Sequence, residues 1–231
     1  MGERNWTNEL EHYLVDCFAR FCAASGQPVP FSGLRINPPL GIEESRYFLL
    51  GLGEGLFRIN QTGQIESDLI SSGNHPNPTR LIPIFRSHPF PPRFFRDSVC
   101  RLSTASSLIL KRGWLKSHVE IESTEESGAK ILVKSPAGSL LIGIEVKRNG
   151  PEVHKLITDL RNCCNRGTHA RDDCGFPQNH PVYEFCTLRR PVYFCGVAPD
   201  SEISLRMKYD GTTIQLEQLP SLPPRSVIEM A

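Results

Sequence analysis

The stretch from Ser139 to Cys164 constrains the fold most: an apolar strand, a break at Asn149-Gly150-Pro151, then an amphipathic helix. Strand side chains alternate, so Leu140, Ile142, Ile144 and Val146 share one face, and Leu141, Gly143, Glu145 and Lys147 the other. Proline at the first helical position sacrifices no hydrogen bond, because that N–H would be unpaired anyway. Val153, Leu156, Ile157, Leu160 and Cys164 then recur at i, i+3, i+4, i+7 and i+11, a stripe suited to packing on a sheet. A strand running directly into such a helix predicts an α/β protein.

The flanking sequence extends this pattern. Phe95 to Arg112 reads as a helix with basic residues in its last turn and Gly113 beyond it. Trp114 to Glu122 alternates as a strand, Gly128 marks a turn, and Lys130 to Lys134 forms a second strand ahead of the turn Ser135-Pro136-Ala137-Gly138. Val192 to Val197 is a later buried strand and Ile203 to Met207 an edge strand. The expected fold class is therefore α/β, with a mixed central sheet flanked by helices and an N-terminal α+β extension.

In that extension, Asn8 and Glu11 have the spacing of a capping box. Leu10, Leu14, Cys17, Phe18, Phe21 and Cys22 follow at helical intervals, with Gly26 as the stop. Tyr47–Leu52 and Leu56–Ile59 read as short strands. Six prolines lie between residues 71 and 93. So many missing donors exclude helix interiors and central strands and predict a connector, although Leu81, Ile82, Ile84, Phe85 and Phe90 need somewhere to pack. The expected division is an N-terminal segment over 1–92 and a second domain over 93–231.

No apolar run reaches the roughly 18 residues that would span a bilayer. The N-terminus interleaves acids with apolar residues, unlike a signal peptide, so no membrane partner and a cytoplasmic location are expected. A chain of 231 residues with a 39% hydrophobic fraction can bury a core without covalent staples, so its eight cysteines are expected as reduced thiols. The formal net charge of +1 hides an asymmetry. Residues 1–70 carry five basic and nine acidic side chains; residues 80–116 carry eight basic ones against Asp97 alone. Residues 147–171 carry six basic side chains against Glu152 and Asp159. Basic stretches on an acidic background suit a face that tracks phosphates.

Glu145 and Lys147 project side by side from the end of the apolar strand and are expected partly exposed in a cleft. A carboxylate there can hold Mg²⁺, and an adjacent ammonium can stabilise charge on a phosphate or orient an attacking water. The segment KILVKSPAGSLLIGIEVKR, running on into the helix at Pro151, resembles the PD-(D/E)XK nuclease superfamily over about residues 95–208. The resemblance implies a restriction-endonuclease-like fold and, where active, a Mg²⁺-dependent phosphodiesterase cutting DNA or RNA. It assigns catalysis to Glu145, Lys147 and Glu122, and metal binding to Glu145 with Glu122 or Glu126. The family's first acid usually opens the second strand, where this chain has Lys130. Glu122 precedes Glu145 by 23 residues, and a relocated ligand there would restore the pair.

Arg93, Arg96, Arg101, Arg148, His154 and Arg161 are the expected contacts to nucleic acid, with DNA favoured over RNA. Backbone contacts of this kind position a protein without reading sequence. The alternatives are a catalytically inactive binding or assembly module on the same fold, and an interaction protein whose N-terminal half docks a partner. Cys163, Cys164, His169, Cys174, His180 and Cys186 cluster in sequence but contain no C-x-x-C knuckle, which argues against zinc.

Overall fold

The computed structural model describes residues 4–71, 81–87, 91–122, 128–167, 169–211 and 213–228. The chain forms two compact units, Met1–Lys111 and Arg112–Ala231.

In the N-terminal unit, α1 (Trp6–Ala24) is capped by Asn5, whose side chain accepts the N–H of Asn8. The cap thus falls three residues before the expected one. The stripe from Leu10 to Cys22 is buried as its spacing requires. A second helix, α2 (Ile42–Gly53), replaces the strand expected over Tyr47–Leu52. Glu44 favours the helix locally, since its carboxylate accepts the N–H of Gly41 at 3.1 Å. Helical spacing also gathers Glu44, Tyr47, Phe48 and Gly51 onto one buried face, which a strand would have divided.

Short strands follow: β1 (Arg58–Ile59), β2 (Gln64–Glu66) and β3 (Leu81–Pro83) form one antiparallel sheet, and β4 (Phe85–Arg86) pairs with β5 (Arg93–Phe94). The proline-rich connector is thus partly strand, with Pro83 on an edge where its missing donor is tolerated. Its residues 72–80 and 88–90 lie outside those described.

The helix α3 (Arg96–Leu110) belongs to this unit, packed along α2. The contact is close: a Cβ on Gly51 would stand 2.0 Å from Ser106 Oγ. The Ser103 hydroxyl donates to the Glu44 carbonyl at 2.8 Å. The boundary expected at 92/93 therefore lies one helix further on, after Lys111.

The C-terminal unit is mixed α/β. A 3-10 turn (Lys116–His118) leads into β6 (Val119–Ile121), so the expected strand from Trp114 is shortened. Next come β7 (Ile131–Lys134), β8 (Leu140–Val146), α4 (Gly150–Arg166), a 3-10 turn (Arg171–Asp173), α5 (His180–Arg189), β9 (Tyr193–Ala198), β10 (Ser201–Asp210), β11 (Thr213–Leu219) and α6 (Arg225–Ile228). The six strands form one sheet in the order β6-β7-β8-β9-β10-β11. Every pairing is antiparallel except β8 with β9, which is parallel and bridged through α4 and α5. Ile203–Met207 lies inside β10, which is not an edge because β11 covers it.

The α4 stripe packs with Leu132, Phe194, Leu205 and Met207 of the sheet and with Val182, Tyr183, Phe185 and Cys186 of α5. Two glycines make room for the helices. A Cβ on Gly143 would meet the Phe185 ring at 2.5 Å, and one on Gly196 would meet Val153 at 3.0 Å.

Gly128 is held more tightly. Its φ is +67°, and a Cβ would lie 2.3 Å from the Pro181 carbonyl oxygen, a backbone atom that cannot swing aside. Gly138, at φ +83°, has nothing within 4 Å of that position. Gly138→Ala should cost about 1 kcal/mol for the left-handed conformation alone. Gly128→Ala should cost about 2 kcal/mol or more, because overpacking adds to the strain. Urea midpoints at unchanged slope measure both losses; equal losses would show that α5 does not restrict Gly128.

Candidate functional site

Alternation along β8 sets Glu145 and Lys147 on one face, and the two side chains meet: Lys147 Nζ donates to Glu145 Oε1 at 3.2 Å. Glu145 is only 7% exposed, so its carboxylate is enclosed instead of lining an open cleft. Parallel register places Glu145 beside Gly196, and α4 approaches the sheet closely over that glycine. The second carboxylate oxygen, Oε2, is buried without a hydrogen-bond partner among the described residues.

The strands beside β8 supply no second acid. Ala129 to Lys134 and Tyr193 to Ala198 contain neither Asp nor Glu. Lys130 is buried where β7 begins; its N–H donates to the Ile144 carbonyl at 2.7 Å, and its carbonyl accepts the Glu122 N–H at 3.0 Å. Glu122 therefore stands at the end of β6, two strands from Glu145, a backbone separation of roughly 10 Å at the usual strand spacing. Burial and the neighbouring charge of Glu120 raise the Glu122 carboxyl above its ordinary pKa, while Arg189, Lys134 and Lys130 pull it down. Glu120 itself pairs with Lys134. Glu126 lies outside the described residues.

The expected nucleic-acid contacts separate into two groups. Arg93, Arg148, His154 and Arg161 are exposed. Arg161 also donates to Gln218 Oε1 at 2.8 Å, which ties it to β11. Arg96 and Arg101 are 5% and 6% exposed, so neither is a surface contact. Arg96 forms a bidentate pair with Glu44 and donates to the carbonyls of Pro38 and Pro39 at 3.0 and 3.2 Å. Arg101 lies 3.8 Å from Asp97. A linear count of charge treats these arginines as solvent-facing, but helical geometry turns them inward.

A second cluster lies where α4 leads towards α5. Cys163, His169 and Cys174 place their ligand atoms within 4.8 Å of one another and could hold a metal ion. Cys163 Sγ and Cys174 Sγ are 3.4 Å apart and unlinked. His169 Nδ1 bonds to the Gly167 carbonyl at 2.7 Å, and its Nε2 is buried. The Phe176 N–H donates to Cys174 Sγ at 3.4 Å. Burial alone would raise the Cys174 thiol pKa, but hydrogen bonds from His169, the Phe176 N–H and Cys163 outweigh it and lower it; burial foremost raises that of Cys163.

The sequence named these residues among six candidates and set Cys164 on the apolar stripe of the helix, but without a C-x-x-C pair nothing joined Cys163 to Cys174. In the fold Cys164 stays in the apolar core, while the Cys163 thiol reaches Cys174.

Comparison with protein-family models, curated proteins and solved structures gave no match. Among the described residues, no helix is long and apolar enough to cross a membrane.

The buried Glu44–Arg96 pair makes a testable distinction. Arg96→Ala should destabilise the protein by about 3–5 kcal/mol, because it strands a buried carboxylate. Arg93→Ala, on the surface, should change stability by no more than about 0.5 kcal/mol. Chemical denaturation of the two variants checks this; equal small effects would remove the structural role given to Arg96.

Proposed function

We propose that the C-terminal unit is a PD-(D/E)XK-like module that binds nucleic acid, DNA before RNA, along the phosphate backbone without cutting it. One observation carries this reading. Both strands beside Glu145 lack acids, while the segment that follows β8 exposes Arg148, His154, Lys155 and Arg161. Lys147 neutralises Glu145 at 3.2 Å, reducing the repulsion a bare carboxylate would exert on a phosphate. The exposed cations then act by displacing counterions, which requires no base-specific geometry.

A second reading keeps the Mg²⁺-dependent phosphodiesterase. The observation in its favour is the buried Glu145 Oε2, which has no hydrogen-bond partner among the described residues. A cation arriving there would satisfy it, with Lys147 left to stabilise charge on the scissile phosphate.

Fluorescence anisotropy with labelled single- and double-stranded DNA and RNA separates the outcomes. Binding should fall steeply between about 50 and 200 mM salt. Combined Arg148→Glu, Lys155→Glu and Arg161→Glu should weaken binding to all sequences alike and reduce the salt slope by about 1 per lost phosphate contact. Binding that ignores salt, or no binding at all, would overturn the proposal. Incubation with Mg²⁺ or Mn²⁺ should leave every substrate intact. Cleavage that disappears in Glu145→Gln would replace the binding reading with the phosphodiesterase one.

A further inference from the structure

We propose that Cys163, His169, Cys174 and His180 form a structural zinc site that fastens the end of α4 to the start of α5. The two sulfurs and the His169 nitrogen already share one small volume. Tetrahedral zinc with Zn–S bonds of about 2.3 Å holds two sulfurs about 3.8 Å apart. The observed 3.4 Å separation is close to that edge, so binding needs only a slight opening of the pair.

His180 supplies the independent observation. It is 1% exposed, and both ring nitrogens lack a hydrogen-bond partner among the described residues. A fully buried imidazole without partners is costly unless something else satisfies it. Its ring meets that of His169 edge-on, with centroids 5.1 Å apart. Its Nδ1 lies 3.7 Å from Glu184 Oε1. A proton on Nδ1 would leave Nε2 as a lone-pair donor, and the proposed site requires the ring to turn towards the cluster to supply the fourth ligand. His169 is held through Nδ1 on a carbonyl, and its ring also interacts with Cys174. Histidines that bind metal are commonly oriented in this way through their other nitrogen.

The donor set selects the ion. Two sulfurs and two imidazoles suit tetrahedral zinc and are poor ligands for Mg²⁺, which takes oxygen. Two thiolates also cancel the charge of a divalent ion, so the filled site adds no net charge to a buried region. Four protein ligands leave no open position, so the role is structural. The Asn179 amide, hydrogen-bonded to Asp159 at 2.8 Å, already joins the same two segments, and zinc would reinforce that junction.

The test uses the full chain, purified without chelator or metal-affinity tag. Elemental analysis should find a single zinc per chain, and Co²⁺ exchanged into the site should give a tetrahedral thiolate spectrum. Cys174→Ser should abolish Co²⁺ binding. His180→Gln should weaken it by more than the roughly 10–100-fold typical of losing an outer hydrogen-bond partner. Because either variant could fail to fold, ¹¹³Cd NMR of the unaltered protein provides the second measurement, with a shift for two sulfur and two nitrogen donors. Folded protein that takes up neither zinc nor Co²⁺ would overturn the site. A Cys163–Cys174 disulfide in freshly purified protein would do the same. A ¹¹³Cd shift for three donors, or unchanged affinity in His180→Gln, would overturn the fourth ligand.

Discussion

Parallel strands cannot be joined by a hairpin, because the chain must return to the end from which it started before the second strand begins. The parallel pairing of β8 with β9 therefore requires a crossover, and α4 with α5 provides it. The crossover covers the sheet face on which Glu145 stands, and Gly143 and Gly196 let its helices approach. The burial of Glu145, the position of Lys147 and the meeting of Cys163 with Cys174 all follow from the way that connection packs. Without it, the Glu-x-Lys tripeptide would be an ordinary pair of charges at a strand end.

Enclosure changes what that pair can do. A carboxylate with an ammonium 3.2 Å away has a counterion already, so a metal must compete with Lys147 for it. In a nuclease a second acid would tilt that competition towards the ion, by adding negative charge and a ligand. Here β7 offers Lys130 at its start, and β9 offers Gly196 at the neighbouring register position. Glu122 is a strand further away, beside cations of its own. The proposed binding module rests on these features.

Local pattern made much of the C-terminal unit legible. The alternation over Leu140–Lys147, the Asn149-Gly150-Pro151 start and the α4 stripe each correspond to a structural element, because propensity, capping and burial agree there. Other elements were not legible, three of them for identifiable reasons. Short α5 begins with His180-Pro181 in a run where cysteines obscured the helical pattern. Along β11, Ile214 and Leu216 stand among polar residues, so its alternation is weak. Tyr47–Leu52 is a short apolar run, and only Glu44, through its bond to Gly41 and its pairing with Arg96, assigns it to a helix. The same long-range pair hid the division between the units, since it holds α3 to α2 across 52 residues of chain.

The site was legible in part for the same reason. Adjacent residues on one strand can be placed from sequence, so Glu145 and Lys147 were found together. Residues brought together by a loop cannot, so only the fold selects Cys163, His169 and Cys174 from the six candidates that the sequence offers. Whether Glu145 holds a metal is tested most directly by anomalous diffraction from crystals soaked in Mn²⁺. No anomalous peak is expected at Glu145, with the Lys147 contact intact. A peak ligated by Glu145, above all one shared with Glu122 or Glu126, would contradict it.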